Sequence, residues 1–135
     1  MKNLTVFLGG TCGKSIWREK LIPMLNKNIT AFNPVVSNWT SECQRIEDFH
    51  KEHDDIVLFV ITSESDSTYS FYEIGCESVK NPNRLIVCFL NNQNNTHFDE
   101  HQEKENIKIT KVLQEKNIKV CNSLEEVAQV LNEQK

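Results

Sequence analysis

The chain has 135 residues, enough for one domain, and its 39% hydrophobic and 25% charged content with only four glycines and three prolines excludes collagen-like, low-complexity and disordered classes. Fifteen Lys and Arg stand against nineteen Asp and Glu, a formal charge of −4. Without a basic excess to attract phosphate backbones or anionic headgroups, neither nucleic acid nor a membrane surface is expected as a partner.

The first predicted element is a strand over Leu4–Leu8, a nearly continuous apolar run. It is too short for a signal-peptide core or a membrane span, so the cytoplasm is the expected location. A helix over Ser15–Leu25 and a short strand over Ile29–Phe32 follow, then a helix over Glu42–His53 and a second apolar strand over Ile56–Ile61. After these come a helix over Ser70–Val79, a strand over Leu85–Leu90, a helix over Glu103–Lys116, a strand over Ile118–Val120 and a helix over Leu124–Asn132. The last helix opens with Ser123-Leu-Glu-Glu126, a capping box, and carries Leu124, Val127, Ala128 and Leu131 on one stripe.

Strands without polar alternation, each followed by a helix, predict a doubly wound α/β domain over residues 1–135. Its mainly parallel five-stranded sheet should carry helices on both faces, with Leu4–Leu8 and Ile56–Ile61 as adjacent inner strands. Ligands of such sheets bind beyond the carboxyl ends of the strands, which points to the segments Gly9–Ser15, Asn33–Trp39, Thr62–Ser70 and Asn91–Thr96. The five cysteines are scattered and form no C-x-x-C pair, so they read as reduced thiols.

Three constellations carry candidate chemistry. Gly9-Gly10-Thr11-Cys12-Gly13-Lys14-Ser15 follows a strand and ends in Gly-Lys-Ser, but a phosphate-cradling P-loop requires glycine where Leu8 stands. The glycines then serve a tight turn, or their amides face a polar ligand. His50 and His53, and His97 and His101, have helical spacing, yet no third ligand accompanies either pair; no metal or cofactor is expected. Finally, Asp54 and Asp55 precede the central strand, while Asp66 and Glu73 follow it, with Tyr69, Ser70 and Tyr72 between them. Glu73 faces the strand-end crevice if it serves chemistry; alternatively, Ser70-Phe-Tyr-Glu73 is a capping box and Glu73 closes its own helix.

Phe7-Leu8-Gly9-Gly10-Thr11, Trp17-Arg18-Glu19, Leu21-Ile22-Pro23, Phe32-Asn33-Pro34-Val35-Val36, Trp39, Val60-Ile61-Thr62 and Tyr69-Ser70-x-x-Glu73 together resemble the nucleoside 2-deoxyribosyltransferase-like family. The resemblance runs from about Val6 to Leu90 and implies a flavodoxin-like or Rossmann-like fold. It also implies cleavage of an N-glycosidic bond through a glutamate nucleophile, a role that falls on Glu73 of Glu73-Ile74-Gly75. Asp55 takes the role of an acid that contacts the nucleobase and helps it leave. A further acid is implied six residues before the nucleophile, where this chain has Ser67 and the neighbouring Asp66. Gly9, Gly10, Thr11, Trp17, Asn33, Pro34, Trp39, Tyr69 and Ser70 are implied to line the substrate site. Active sites of the superfamily are often completed by a neighbouring subunit, so a homo-oligomer is expected.

Glycosidic cleavage develops positive charge on the sugar and negative charge on the departing base, which suits one carboxylate at the anomeric carbon and a second acid as proton donor. Tyr69 and Ser70 can orient Glu73 or hold sugar hydroxyls, and Trp17 and Trp39 can stack on a base, although core packing is the plainer role of a tryptophan. The expected function is transfer or hydrolysis of the N-glycosidic bond of a small-molecule nucleoside or nucleotide, NAD included. The alternative is a non-catalytic module that senses or sequesters such a ligand.

Overall fold

A computed structural model describes residues 2–134. Five strands, β1 (Leu4–Gly10), β2 (Ile29–Phe32), β3 (Ile56–Thr62), β4 (Leu85–Leu90) and β7 (Lys119–Cys121), form one sheet in the order β2-β1-β3-β4-β7, and every pairing is parallel. This is the doubly wound α/β architecture of flavodoxin-like and Rossmann-like folds. β1 and β3 are adjacent and internal, as their unbroken apolar sequence requires: Val6–Leu8 and all of β3 are buried.

The helices are α1 (Trp17–Leu21), α2 (Ser41–His53), α3 (Thr68–Lys80), α4 (Glu100–Glu115) and α5 (Leu124–Asn132). α1 and α5 cover one face of the sheet, where Trp17, Leu21, Val127 and Leu131 join Val6, Leu8, Leu58 and Val60 in one core. On the other face Phe71, Ile74, Ile109 and Leu113, from α3 and α4, pack on Phe7, Phe59, Ile61 and Val87. α2 lies on that second face beside β2, with the His50 ring stacked on Phe32 at 3.8 Å.

Several boundaries differ from the predicted ones for local reasons. The helix expected over Ser15–Leu25 shortens to α1 and passes into a 3-10 turn over Ile22–Met24, because Pro23 has no N–H to continue the α-helical ladder. α3 starts two residues before Ser70, with Ser67 at its N-cap. Ser70 is therefore inside the first turn, and Ser70-x-x-Glu73 is not a capping box. The segment Asn91–Thr96 is part of a small hairpin, β5 (Asn92–Gln93) and β6 (Thr96–His97), whose turn residues Asn94 and Asn95 have φ of 52° and 63°. Asparagine tolerates that left-handed pair, which is the signature of a two-residue hairpin loop. Half of the predicted capping box of α5 forms: Ser123 Oγ accepts from Glu126 N at 3.1 Å, while Glu126 Oε1 accepts from Asn122 N at 2.9 Å, one residue before the cap.

Candidate functional site

The strand order reverses between β1 and β3, the point at which a doubly wound sheet opens a crevice at its carboxyl end. A cavity of about 230 Å³ lies there, lined by Phe7, Gly9, Gly10, Cys12, Arg18, Pro34, Glu47, Asp66, Ser67, Tyr69, Ser70 and Glu73. Glycine is needed at the end of β1 because the chain passes so close to β3. Gly10 has φ of +121°, and a Cβ there would sit 2.0 Å from the Val60 carbonyl oxygen.

Beneath this strand end lies Arg18, buried although charged. Its Nε donates to Leu8 O at 3.0 Å and its Nη1 to Thr11 O at 2.9 Å, so the guanidinium gathers carbonyls that β1 leaves unpaired as it leaves the sheet. Burial pulls the Arg18 pKa down, and Cys12, Glu19 and Glu47 push it back up. A guanidinium nevertheless stays charged at physiological pH, so the crevice has a fixed cation in its floor.

Two carboxyl groups face one another across the crevice wall. Glu73, in the second turn of α3, receives Lys51 Nζ from α2 at 2.6 Å. Glu47, one turn earlier on α2, lies 3.9 Å from the same ammonium. Burial raises the Glu47 pKa above the usual carboxyl value; Lys51 and Arg18 oppose that rise, and the charges of Glu73 and Asp48 add to it. For Lys51 burial is the largest single influence and is downward, but its contacts with Glu73, Glu47 and Asp48 together outweigh it and leave its pKa raised. One nitrogen thus holds two carboxyl groups, of which Glu47 is the one that burial inclines toward keeping its proton.

α2 supplies these groups because it is polar on the side that meets the sheet. Glu47, His50, Lys51 and Asp54 recur at the i, i+3, i+4, i+7 spacing that a packed helix ordinarily fills with apolar residues, while Ile46 and Phe49 point outward. His50 Nδ1 pairs with the buried Asp54 carboxylate at 3.0 Å, and Arg84 ties down the end of the helix by donating to Asp54 O at 2.7 Å. Sequence reasoning weighed only His50 and His53 in this segment and so missed Glu47 and Lys51. The signal was there: four polar residues occupy one helical stripe, with Glu47 four residues before Lys51.

The crevice brings together Gly9, Gly10, Pro34, Asp66, Tyr69, Ser70 and Glu73, but not the other expected site residues. Asp55 stands at the opposite end of β3, where its Oδ2 accepts from Thr5 N at 2.9 Å and Thr5 Oγ1 at 3.1 Å. A residue preceding a parallel strand is carried to the amino end of the sheet, so Asp55 ties the start of β1 to β3. Thr11 is buried behind the crevice, where its hydroxyl accepts from Thr62 N at 2.8 Å and meets Ser67 Oγ at 2.6 Å. Trp17 is sealed in the core on the other face and donates Nε1 to Thr11 O at 2.9 Å, so its ring is not free to stack on a ligand. Asn33 accepts from Val35 N in its own loop, and Trp39, 61% exposed in the segment before α2, does not line the crevice.

Asp66 lies on the crevice rim. Its Oδ1 accepts from Thr68 N at 2.9 Å and Thr68 Oγ1 at 2.5 Å, bonds that hold its pKa below the usual value and make it a better acceptor than proton donor. The two histidine pairs do not act as pairs. His97 is in β6 while His101 is in α4, and His50 and His53 bond to Asp54 and Phe49 O separately. Among the described residues no three His, Cys, Asp or Glu side chains gather to hold a metal ion, and no helix is long and apolar enough to cross a membrane.

No curated protein matches the chain. The model of a family described as nucleoside 2-deoxyribosyltransferase like matches residues 3–93, a span that carries β1, β2, β3, α3, β4 and every residue of the crevice. The chain belongs to the nucleoside 2-deoxyribosyltransferase-like family.

Proposed function

We propose that the protein breaks the N-glycosidic bond of a nucleoside or nucleotide and passes the glycosyl group to another base or to water, with Glu73 as nucleophile and Glu47 as acid and base. One observation carries this reading. The crevice at the β1/β3 switch point holds two carboxyl groups on one ammonium, and burial raises the pKa of one of them, Glu47.

In the first step a Glu73 oxygen attacks the anomeric carbon as the carbon–nitrogen bond breaks. The bonding pair leaves with the base nitrogen, which takes the proton of Glu47. In the second step an acceptor base or a water molecule attacks the same carbon, gives its proton to the Glu47 carboxylate, and frees Glu73. Lys51 positions both acids, the buried Arg18 charge steadies the negative groups above it, and Tyr69 and Ser70 offer hydroxyls to the sugar. Transfer and hydrolysis differ only in which acceptor reaches the glycosyl ester.

The test is incubation of the purified chain with deoxynucleosides, nucleoside monophosphates and NAD, followed by chromatography for free base. Release of base by the wild type and its loss in Glu73→Gln support the reading. Binding without release, across the whole panel, would instead make the protein a ligand-sensing or sequestering module.

A further inference from the structure

Beside the crevice, the groove between α2 and α3 opens into a second cavity of about 250 Å³ that shares Tyr69 and Glu73 with it. The unusual member of its lining is Glu77. α3 buries Ser70, Ile74, Glu77 and Ser78, so Glu77 occupies a position that a packed helix ordinarily gives to an apolar residue. It is only 9% exposed, and its Oε2 is buried with no hydrogen-bond partner among the described residues. A buried carboxyl oxygen without a donor is costly, and one that borders a cavity points to a partner from outside the chain.

The groove's own donors do not meet that need. Lys51 is taken by Glu73 at 2.6 Å, with Glu47 and Asp48 each 3.9 Å from the same nitrogen. Lys80, Tyr69, Tyr72 and Cys76 line the same space, yet none of them bonds Glu77 Oε2. Four carboxyl groups, from Asp48, Glu52, Glu73 and Glu77, stand against the two lysines of the lining. Asp48 already accepts from Gln44 Nε2 at 2.8 Å and Glu73 from Lys51, so the demand for donors falls on Glu77 and, at the rim, on the exposed Glu52. Tyr69 and Tyr72 are 67% and 64% exposed with ring centroids 5.7 Å apart, so aromatic surface lies open beside these acids. An anion would add to the negative charge, and a molecule without donors would leave Glu77 unpaired. A cation that carries N–H groups answers both conditions, and aromatic rings attract it as well.

We propose that this groove binds a small aliphatic amine as its ammonium ion, which donates to Glu77 Oε2 and lies against Tyr69 and Tyr72; a second ammonium on the same molecule is drawn to Glu52. The site is distinct from the glycosidic chemistry and stands whether or not the protein cleaves nucleosides. Because Tyr69 and Glu73 line both cavities, the bound amine sits against the wall of the crevice.

Calorimetric titration of the full chain with 1,4-diaminobutane, n-butylamine and 1,4-butanediol at physiological salt tests the site. The diamine should bind one to one and more tightly than the monoamine, and the diol should give no saturable heat. Glu77→Gln should weaken the diamine by about tenfold or more, the loss of a charge-assisted bond, with the thermal midpoint kept or raised because an unpaired buried carboxyl is gone. Glu52→Gln, at an exposed position, should bring the diamine close to the monoamine without touching the fold, so the proposal is tested even where Glu77→Gln unfolds. Glu115→Gln makes the same charge change on the exposed end of α4 and should leave binding as it was. Absence of saturation up to about 10 mM diamine means that water serves Glu77, and overturns the site. Equal binding of diol and diamine overturns it too, as does equal weakening by Glu115→Gln and Glu77→Gln, which would mark a diffuse attraction to an acidic chain.

Discussion

The two faces of the sheet are built to different standards. On the face covered by α1 and α5, Trp17, Leu21, Val127 and Leu131 are essentially inaccessible and join the strands in one continuous apolar core. On the other face, α3 and α4 bury apolar residues, but α2 contributes no buried side chain and leaves Ile46 43% and Phe49 57% exposed. The polar stripe of α2 meets the sheet instead, and with it come Glu47 and Lys51. Apolar burial is forgone where the crevice needs charge, and the sealed face supplies the stability that this requires.

If the two faces divide labour in this way, the largest effect should come from Glu73. In Glu73→Gln the amide still accepts from Lys51, so the fold should persist, while glycosidic cleavage should fall by at least about 10³-fold, as for loss of a covalent nucleophile. Rates and thermal midpoints measured together check both halves of that statement. Glu47→Gln should lower the rate by about 10²–10⁴-fold, the usual contribution of a positioned acid, and should remove the alkaline limb of the pH–rate profile. The same variant tests the pKa through stability. The folded chain holds the Glu47 proton more tightly than the unfolded chain, so the contribution of this group is fully present below its unfolded pKa and is lost as pH rises through the raised folded value. Midpoints taken from about pH 4 to about pH 8 should therefore decline less across that window in Glu47→Gln than in the wild type.

A smaller pair of effects compares the faces directly. Leu131→Ala empties a fully buried site on the sealed face and should cost about 2–5 kcal/mol, measured by denaturant unfolding. Ile46→Ala on the outer side of α2 removes an exposed side chain and should change stability by no more than about 0.5 kcal/mol. Equal costs would mean that α2 is held by contacts other than those described.

The difference between the faces also explains what the sequence made legible. The parallel sheet and the inner places of β1 and β3 follow from unbroken apolar runs such as Ile56–Ile61, since only a strand buried on both faces has no polar alternation. Glu73 was legible because its neighbours are contiguous in sequence, and Gly10 because its backbone conformation nearly excludes other residues. Glu47 and Lys51 were not, because α2 inverts the usual rule that the polar stripe faces water, and its charges resemble those of any solvated helix. Asp55 lies away from the crevice of its own chain for a topological reason. Its place beside the central strand in sequence is close to the site, but a parallel strand lies between it and the crevice, and direction along the chain decides which end of the sheet a residue reaches.

That last point yields the smallest expected effect. Asp55 joins the beginnings of β1 and β3 through two bonds from Thr5, and its own N–H donates to Thr5 Oγ1 at 3.0 Å. Asp55→Ala keeps the backbone bond and loses the other two at an exposed site, so stability should fall by about 1 kcal/mol, a shift of a few degrees in thermal midpoint. The cleavage rate at saturating substrate should stay within about twofold, because nothing in the crevice touches this end of the sheet. A second variant separates the structural part from a chemical one: Asp55→Asn retains an acceptor for Thr5 and should restore most of the lost stability. If Asp55→Asn instead reduces cleavage as far as Glu47→Gln does while leaving the midpoint unchanged, the carboxylate must reach a crevice other than its own, and a second copy of the chain would have to bring the two ends of the sheet together.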